Sequence, residues 1–185
     1  GQDQLAGAPP VAAANYVADI SSTLSLPASK ASVVAREYPL SSYSSPAVAL
    51  GAVGTDAIFA CPALVAEEDL SKYTPTYAYE FNDENAPNRS LPSFGFPYGA
   101  AHTFELQYLF DLGNSTYPGT LSGPQQQLAK AMKQDWTNFA KATVPADGWP
   151  RFTASDQRAL SLVPPRPQPE TDYAAEHHCS FWSTV

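Results

Sequence analysis

Helical and strand-like segments are both expected along this chain. Three observations carry that expectation. Helical patterning runs through much of residues 11–72, strict alternation marks Pro75–Phe81, and an amphipathic helix from Pro124 precedes the short strand-like segment Arg158–Val163.

The first ten residues are small, polar and proline-rich. Helices are expected at 11–24 and 28–38, bounded by Pro27 and Pro39, because proline lacks the N–H that a continuing helix needs. A longer helical stretch at 46–72 opens on Ser45-Pro46 and carries Val48, Ala52, Ile58, Phe59 and Leu64, with Gly51, Gly54 and Pro62 expected to kink or divide it. It ends in Glu67-Glu68-Asp69, which reads as a solvated helix end. In the strand at Pro75–Phe81, Tyr77, Tyr79 and Phe81 share one face and Thr76, Ala78 and Glu80 the other. Residues 82–100 hold Pro87, Pro92, Gly95, Pro97 and Gly99 and read as a loop beyond the carboxyl end of a strand, where site residues collect. Ser122 is placed to cap a helix with Pro124 in its first turn and Leu128, Met132, Trp136 and Phe139 on its buried face. Residues 158–163 read as a short strand, Pro164–Pro169 as an extended linker and Tyr173–Val185 as a closing helix, and no internal repeat is found.

A chain of 185 residues is within the range of one domain, and 44% hydrophobic residues can build a core, so the 18 prolines signal turns rather than disorder. A net charge of -8 opposes binding to nucleic acid or to an anionic membrane. No 18 consecutive residues are apolar, and no basic stretch followed by an apolar one opens the chain, so no membrane span is expected.

The most informative segment is Gly99-Ala-Ala-His-Thr-Phe-Glu-Leu-Gln-Tyr-Leu-Phe110, where His102 stands between a loop of Pro, Gly and aromatics and a short apolar run. An imidazole there suits general acid/base work, since its ordinary pKa of about 6.5 lets it take and return a proton near neutrality. On its own, a loop histidine making a local hydrogen bond is the plainer reading. The two cysteines, Cys61 and Cys179, are by count equally one bridge or two buried thiols. Asn88-Arg-Ser90 and Asn114-Ser-Thr116 are glycosylation sequons, making Asn88 and Asn114 candidate acceptors. His177 and His178 beside Cys179 suggest a metal site, yet no second ligand pair has suitable spacing; they read as solvent-facing, and no metal is expected. Asp56 is given a structural role, as a buried charge or helix cap.

The histidine segment resembles that of type B carboxylesterases, the cholinesterase-like branch of the α/β-hydrolases, whose pattern is close to GxxHxxExxYxF. Trp136-Thr-Asn-Phe-Ala-Lys141, Gly148-Trp-Pro-Arg-Phe152 and the surroundings of both cysteines resemble further segments of that family in the same order. The resemblance implies that residues 1–185 are the C-terminal portion of one α/β-hydrolase catalytic domain, with a few strands of a mostly parallel sheet flanked by helices. It implies that His102 is the general acid/base of a serine esterase. The chain has no GxSxG, so the serine and its acidic partner are expected in a preceding N-terminal portion. Glu105 is expected either to support His102 from the same face of a helical turn or to sit simply as a carboxylate stabilised at the N-terminus of a short helix, and Phe96 and Tyr98, with Phe94, to line the pocket or simply to pin the loop. The resemblance also implies a Cys61–Cys179 disulfide, an oxidising or secreted location, a small-molecule ester substrate and no cofactor. The competing expectations are a cholinesterase-like binding or adhesion domain that has lost hydrolysis, an inactive fragment, or a small independent extracellular module.

Overall fold

A computed structural model describes residues 11–89, 91–92, 95–113, 119–145 and 148–185. The described residues form two compact units, one from residues within 1–65, 92–98 and 174–185, the other from 66–91 and 99–173.

In the first unit, a 3-10 turn (Ala13–Asn15) leads into α1 (Tyr16–Leu24), which stops where Ser25 adopts φ 54 and Leu26 N–H returns to the Ser21 carbonyl at 3.0 Å. Pro27 then starts α2 (Ala28–Glu37), and a second 3-10 turn (Leu40–Ser42) precedes α3 (Pro46–Gly54). The Ser45 hydroxyl accepts from Val48 N–H at 3.3 Å, so the Ser-Pro pair caps α3 as its sequence suggests. Pro62 does not divide the helical run that α3 begins. A π-helical turn (Thr55–Ala60) joins α3 to α4 (Cys61–Ser71), and Cys61 N–H bonds the Asp56 carbonyl five residues back. This wider turn accommodates a proline that has no N–H and whose ring crowds an ordinary α-turn.

The core of this unit follows helical spacing: Tyr16 and Ile20 from α1, Ala31 and Val34 from α2, Tyr38 just after it, and Ala49, Leu50 and Val53 from α3, with Phe181 and Trp182 packed against them. Each fully buried Val, Ile or Leu among them contributes about 1.5–3 kcal/mol. The run Pro46–Ser71 is long and apolar enough to cross a membrane by length and composition, and half of its most apolar window is buried within the molecule. A single closing helix over Tyr173–Val185 does not form. It is split into α7 (Tyr173–Glu176) and α8 (Cys179–Trp182) by His178 at φ 52, outside the range of any right-handed helix.

The second unit contains the sheet, β1 (Ala78–Phe81), β2 (Ala159–Leu162) and β3 (Gln168–Glu170), in the order β1-β2-β3. β1 and β2 are parallel, with Ala78 opposite Ala159 and Phe81 opposite Leu162. β3 returns antiparallel along β2, with Leu160 opposite Pro169. The sheet is thus mixed rather than mostly parallel, and the end of the expected linker is a strand. A five-residue connection can only fold straight back, because a parallel return needs a crossover of a dozen or more residues. Pro169 is tolerated because β3 pairs on one side only among the described residues.

The aromatic face of β1 is met by rings from elsewhere in the unit. Tyr77 lies edge-on to Phe139 at 6.2 Å, Tyr79 to Trp136 at 5.0 Å and to Trp149 at 5.8 Å, and Phe81 to Tyr108 at 5.1 Å. Trp136 and Phe139 belong to α6 (Gly123–Ala142), whose buried residues are Gln125, Leu128, Ala129, Met132 and Asp135. The expected stripe therefore holds at Leu128 and Met132, while Trp136 is half-buried and Phe139 is 49% exposed. The helix turns polar Gln125 and Asp135 inward because the molecule has partners for such groups.

Candidate active site

His102 lies exposed on a turn between β1 and α5 (Leu106–Leu109). Gly99 turns the incoming loop with φ 61, and Phe104 N–H closes the turn on the Ala101 carbonyl at 3.0 Å. Thr103, next to the histidine, has φ 76, a left-handed conformation that a β-branched residue rarely adopts. This interrupts the helical turn expected to stack Glu105 on His102. Glu105 is instead the half-buried residue entering α5, with φ -68. Its negative charge acts on Tyr79, whose hydroxyl pKa is raised first by burial and then by Glu105 and Glu67. Glu67, read as part of a solvated helix end, is half-buried, and desolvation lifts its carboxyl from 4.5 to about 7.

Behind the turn, the short helix is tied to the loop that leaves β1. Asp83, 3% exposed, accepts from the Tyr108 hydroxyl, from Gln125 Nε2 at 2.8 Å and from Asn85 N–H at 3.0 Å. Burial, followed by the bond to Asp83, pushes the Tyr108 hydroxyl pKa well above its ordinary value, so it stays protonated as the donor. Gln107 Nε2 donates to the Pro87 carbonyl at 2.8 Å and to the Phe104 carbonyl at 3.0 Å. Gln125 also accepts from Ser122 N–H at 2.8 Å, as a capping box requires, and donates to the Asn85 carbonyl at 3.0 Å. Sequence reasoning missed Asp83; its one signal is a carboxylate two residues beyond the end of a strand.

The other candidates fall into place separately. Phe96 and Tyr98 meet edge-on at 5.4 Å, and the Tyr98 hydroxyl donates to the Pro92 carbonyl, so both rings pin their own loop. Asn88 exchanges two hydrogen bonds with the Leu91 backbone, at 2.8 and 2.9 Å. Phe94 and Asn114 lie outside the described residues. Cys61 and Cys179 are joined across 118 positions, with their Cα atoms 5.2 Å apart.

The two histidines beside Cys179 are not merely solvent-facing. His177 is 7% exposed, and its Nδ1 lies 2.7 Å from Asp56 Oδ1; Asp56 Oδ2 accepts from the Tyr38 hydroxyl at 2.7 Å. Trp182 Nε1 donates to that same hydroxyl at 2.7 Å. Tyr38 is held well above its ordinary pKa, by burial first and then by the bond to Asp56. His178 is half-buried, with Nδ1 2.8 Å from Glu37 Oε1 and its ring 4.9 Å from Tyr38. A covalent link five residues after Asp56 and two after His177 brings that pair together, so the bridge was the clue to it. The role is structural: these groups fasten the C-terminal segment to the helical core.

The chain matches the model of the carboxylesterase family over residues 20–182. It is 32% identical over 134 residues to the acetylcholinesterase of Bungarus fasciatus, an alignment covering 66% of this chain and 20% of that protein. It is also 32% identical to the bile salt-activated lipases of Bos taurus, over 119 residues and 58% of this chain, and of Homo sapiens, over 120 residues and 59% of this chain. These alignments span 19% and 15% of the two lipases, so the chain corresponds to a fifth or less of each relative's length. Because the family match takes in nearly every residue from the start of the helical core to the last helix, this chain belongs to the carboxylesterase family.

Proposed function

We propose that this chain is the C-terminal, histidine-bearing portion of a carboxylic ester hydrolase of the α/β-hydrolase kind, and that His102 is its general acid/base. A serine nucleophile and an acidic partner are supplied by the preceding part of the protein. The observation that carries this reading is the presentation of His102: exposed, on a turn beyond the carboxyl end of a strand, with the following helix anchored behind it. That the chain is similar to an acetylcholinesterase and to lipases supports ester cleavage as the reaction.

In this reaction the serine hydroxyl attacks the ester carbonyl while His102 takes its proton. Backbone N–H groups hold the tetrahedral oxyanion, which collapses as the imidazolium returns the proton to the departing alcohol. A water, deprotonated by His102, then attacks the acyl-enzyme; the acid leaves and the serine recovers its proton. No metal or organic cofactor enters this scheme. The substrate is a small-molecule ester, and the protein resides in an oxidising, extracellular compartment, which a disulfide favours. Glu105 acts on the surroundings of the site through its charge.

Replacing His102 with alanine in the full-length protein should lower kcat on a simple ester by on the order of 10⁴-fold or more. Because the side chain is exposed, stability should change by no more than about 0.5 kcal/mol. Hydrolysis retained in a well-folded variant would overturn the assignment.

A further inference from the structure

We infer that Asp83 is a positioning residue for His102, acting through Tyr108; this rests on His102 being the general base. α5 has four residues, too few to be stable by itself, so its place is set by what holds it. Beside the packing of the Tyr108 ring on Phe81, two hydrogen-bonded ties among the described residues do so, and both run to the loop that begins where β1 ends. The Tyr108 hydroxyl reaches Asp83, and Gln107 reaches the Pro87 carbonyl while also holding the carbonyl of Phe104, two residues from His102. The loop is itself fastened to the sheet: Asn82 N–H bonds the Leu162 carbonyl at 3.2 Å, and Asn82 Nδ2 donates to Ser161 Oγ at 2.9 Å.

A carboxylate this deeply buried is costly unless its oxygens are matched by donors, and Asp83 receives donors from three directions. Those bonds commit its oxygens to Tyr108, Gln125 and Asn85, so Asp83 is not the acid that would orient the imidazole. It links the end of a strand, the first turn of α6 and the helix following His102 at one point. A general base must come within about 2.6–3.2 Å of the hydroxyl proton it removes. A displacement of about 1 Å costs up to about a hundredfold in rate. Asp83 thus acts on the reaction by fixing where the helix that follows His102 stands relative to the end of β1.

The test compares Tyr108→Phe, Asp83→Asn and their double variant in the full-length protein, with His102→Ala as reference. A fluorophosphonate counts reactive sites and gives a labelling rate, and a p-nitrophenyl ester gives kcat per counted site and KM. Tyr108→Phe keeps the ring against Phe81 and removes one hydroxyl. It should lower kcat per site and the labelling rate by about tenfold to a hundredfold with KM unchanged. Asp83→Asn should do at least as much, and the double variant no more than Asp83→Asn, since one linkage is being cut. If Asp83→Asn fails to fold, Tyr108→Phe decides alone. Wild-type kcat per site in a Tyr108→Phe protein, at any melting temperature, would reduce the contact to a structural one and overturn the inference. Failure of the underlying reading shows elsewhere, as hydrolysis that survives His102→Ala.

Discussion

Thr103 holds a conformation that its side chain disfavours, directly beside the candidate base. A non-glycine residue in the left-handed region costs about 1–3 kcal/mol and persists only when its surroundings impose it. Here they do: Phe104 N–H is held by the Ala101 carbonyl on one side, and the Thr103 carbonyl accepts from Leu106 N–H on the other. Thr103→Gly should therefore raise stability by about 1 kcal/mol, the relieved strain exceeding the extra freedom of an unfolded glycine. Thermal or denaturant unfolding measures this directly, and an unchanged or lowered midpoint would show that Thr103 is not strained. In the sequence, His102 stands out as a candidate only through the resemblance. The backbone twist beside it was not legible there, since nothing in a threonine announces a positive φ.

At the scale of elements, α4 carries an instructive group. Its end looks solvated in the sequence, with three acidic residues in a row, yet Glu67 is half-buried and its carboxyl is lifted by burial from 4.5 to about 7. The folded chain thus holds this proton more tightly than the unfolded chain does. Glu67's contribution is full below pH 4.5, declines as pH rises toward about 7, and is lost above that. Glu67→Gln stays neutral and escapes the loss. The stability difference between variant and parent should therefore shift in the variant's favour between about pH 4 and about pH 8, as read from denaturant midpoints. A difference independent of pH would refute the shift. The same scale explains α6: a 3.6-residue period identifies Leu128 and Met132, but inward placement of Gln125 and Asp135 depends on partners no periodicity reveals.

Within the first unit, the bond between Cys61 and Cys179 closes a loop across 118 positions of the chain. Cross-linking so large a loop removes unfolded-state entropy equivalent to about 4–5 kcal/mol in the chain-entropy model. Replacing both cysteines with serine should therefore lower the free energy of unfolding by about that amount, measured in denaturant without reductant. A loss under about 1 kcal/mol would mean that the Asp56–His177 and Glu37–His178 contacts hold the C-terminal segment unaided.

Local chemistry settled much of this protein by sequence alone. Ser45-Pro46 and Ser122 open helices, Pro27 separates two of them, alternation at residues 75–81 contains a strand, and the histidine segment identifies the family, because these signals reside in a few neighbouring residues. Tertiary structure decided what depends on distant partners: the break at His178, whose ring meets Glu37 and Tyr38, the burial of His177 against Asp56, and the anchoring of α5 on Asp83. A buried polar side chain looks the same in sequence as an exposed one until the fold brings it a donor or acceptor from far along the chain, and only that meeting determines whether its burial is stable.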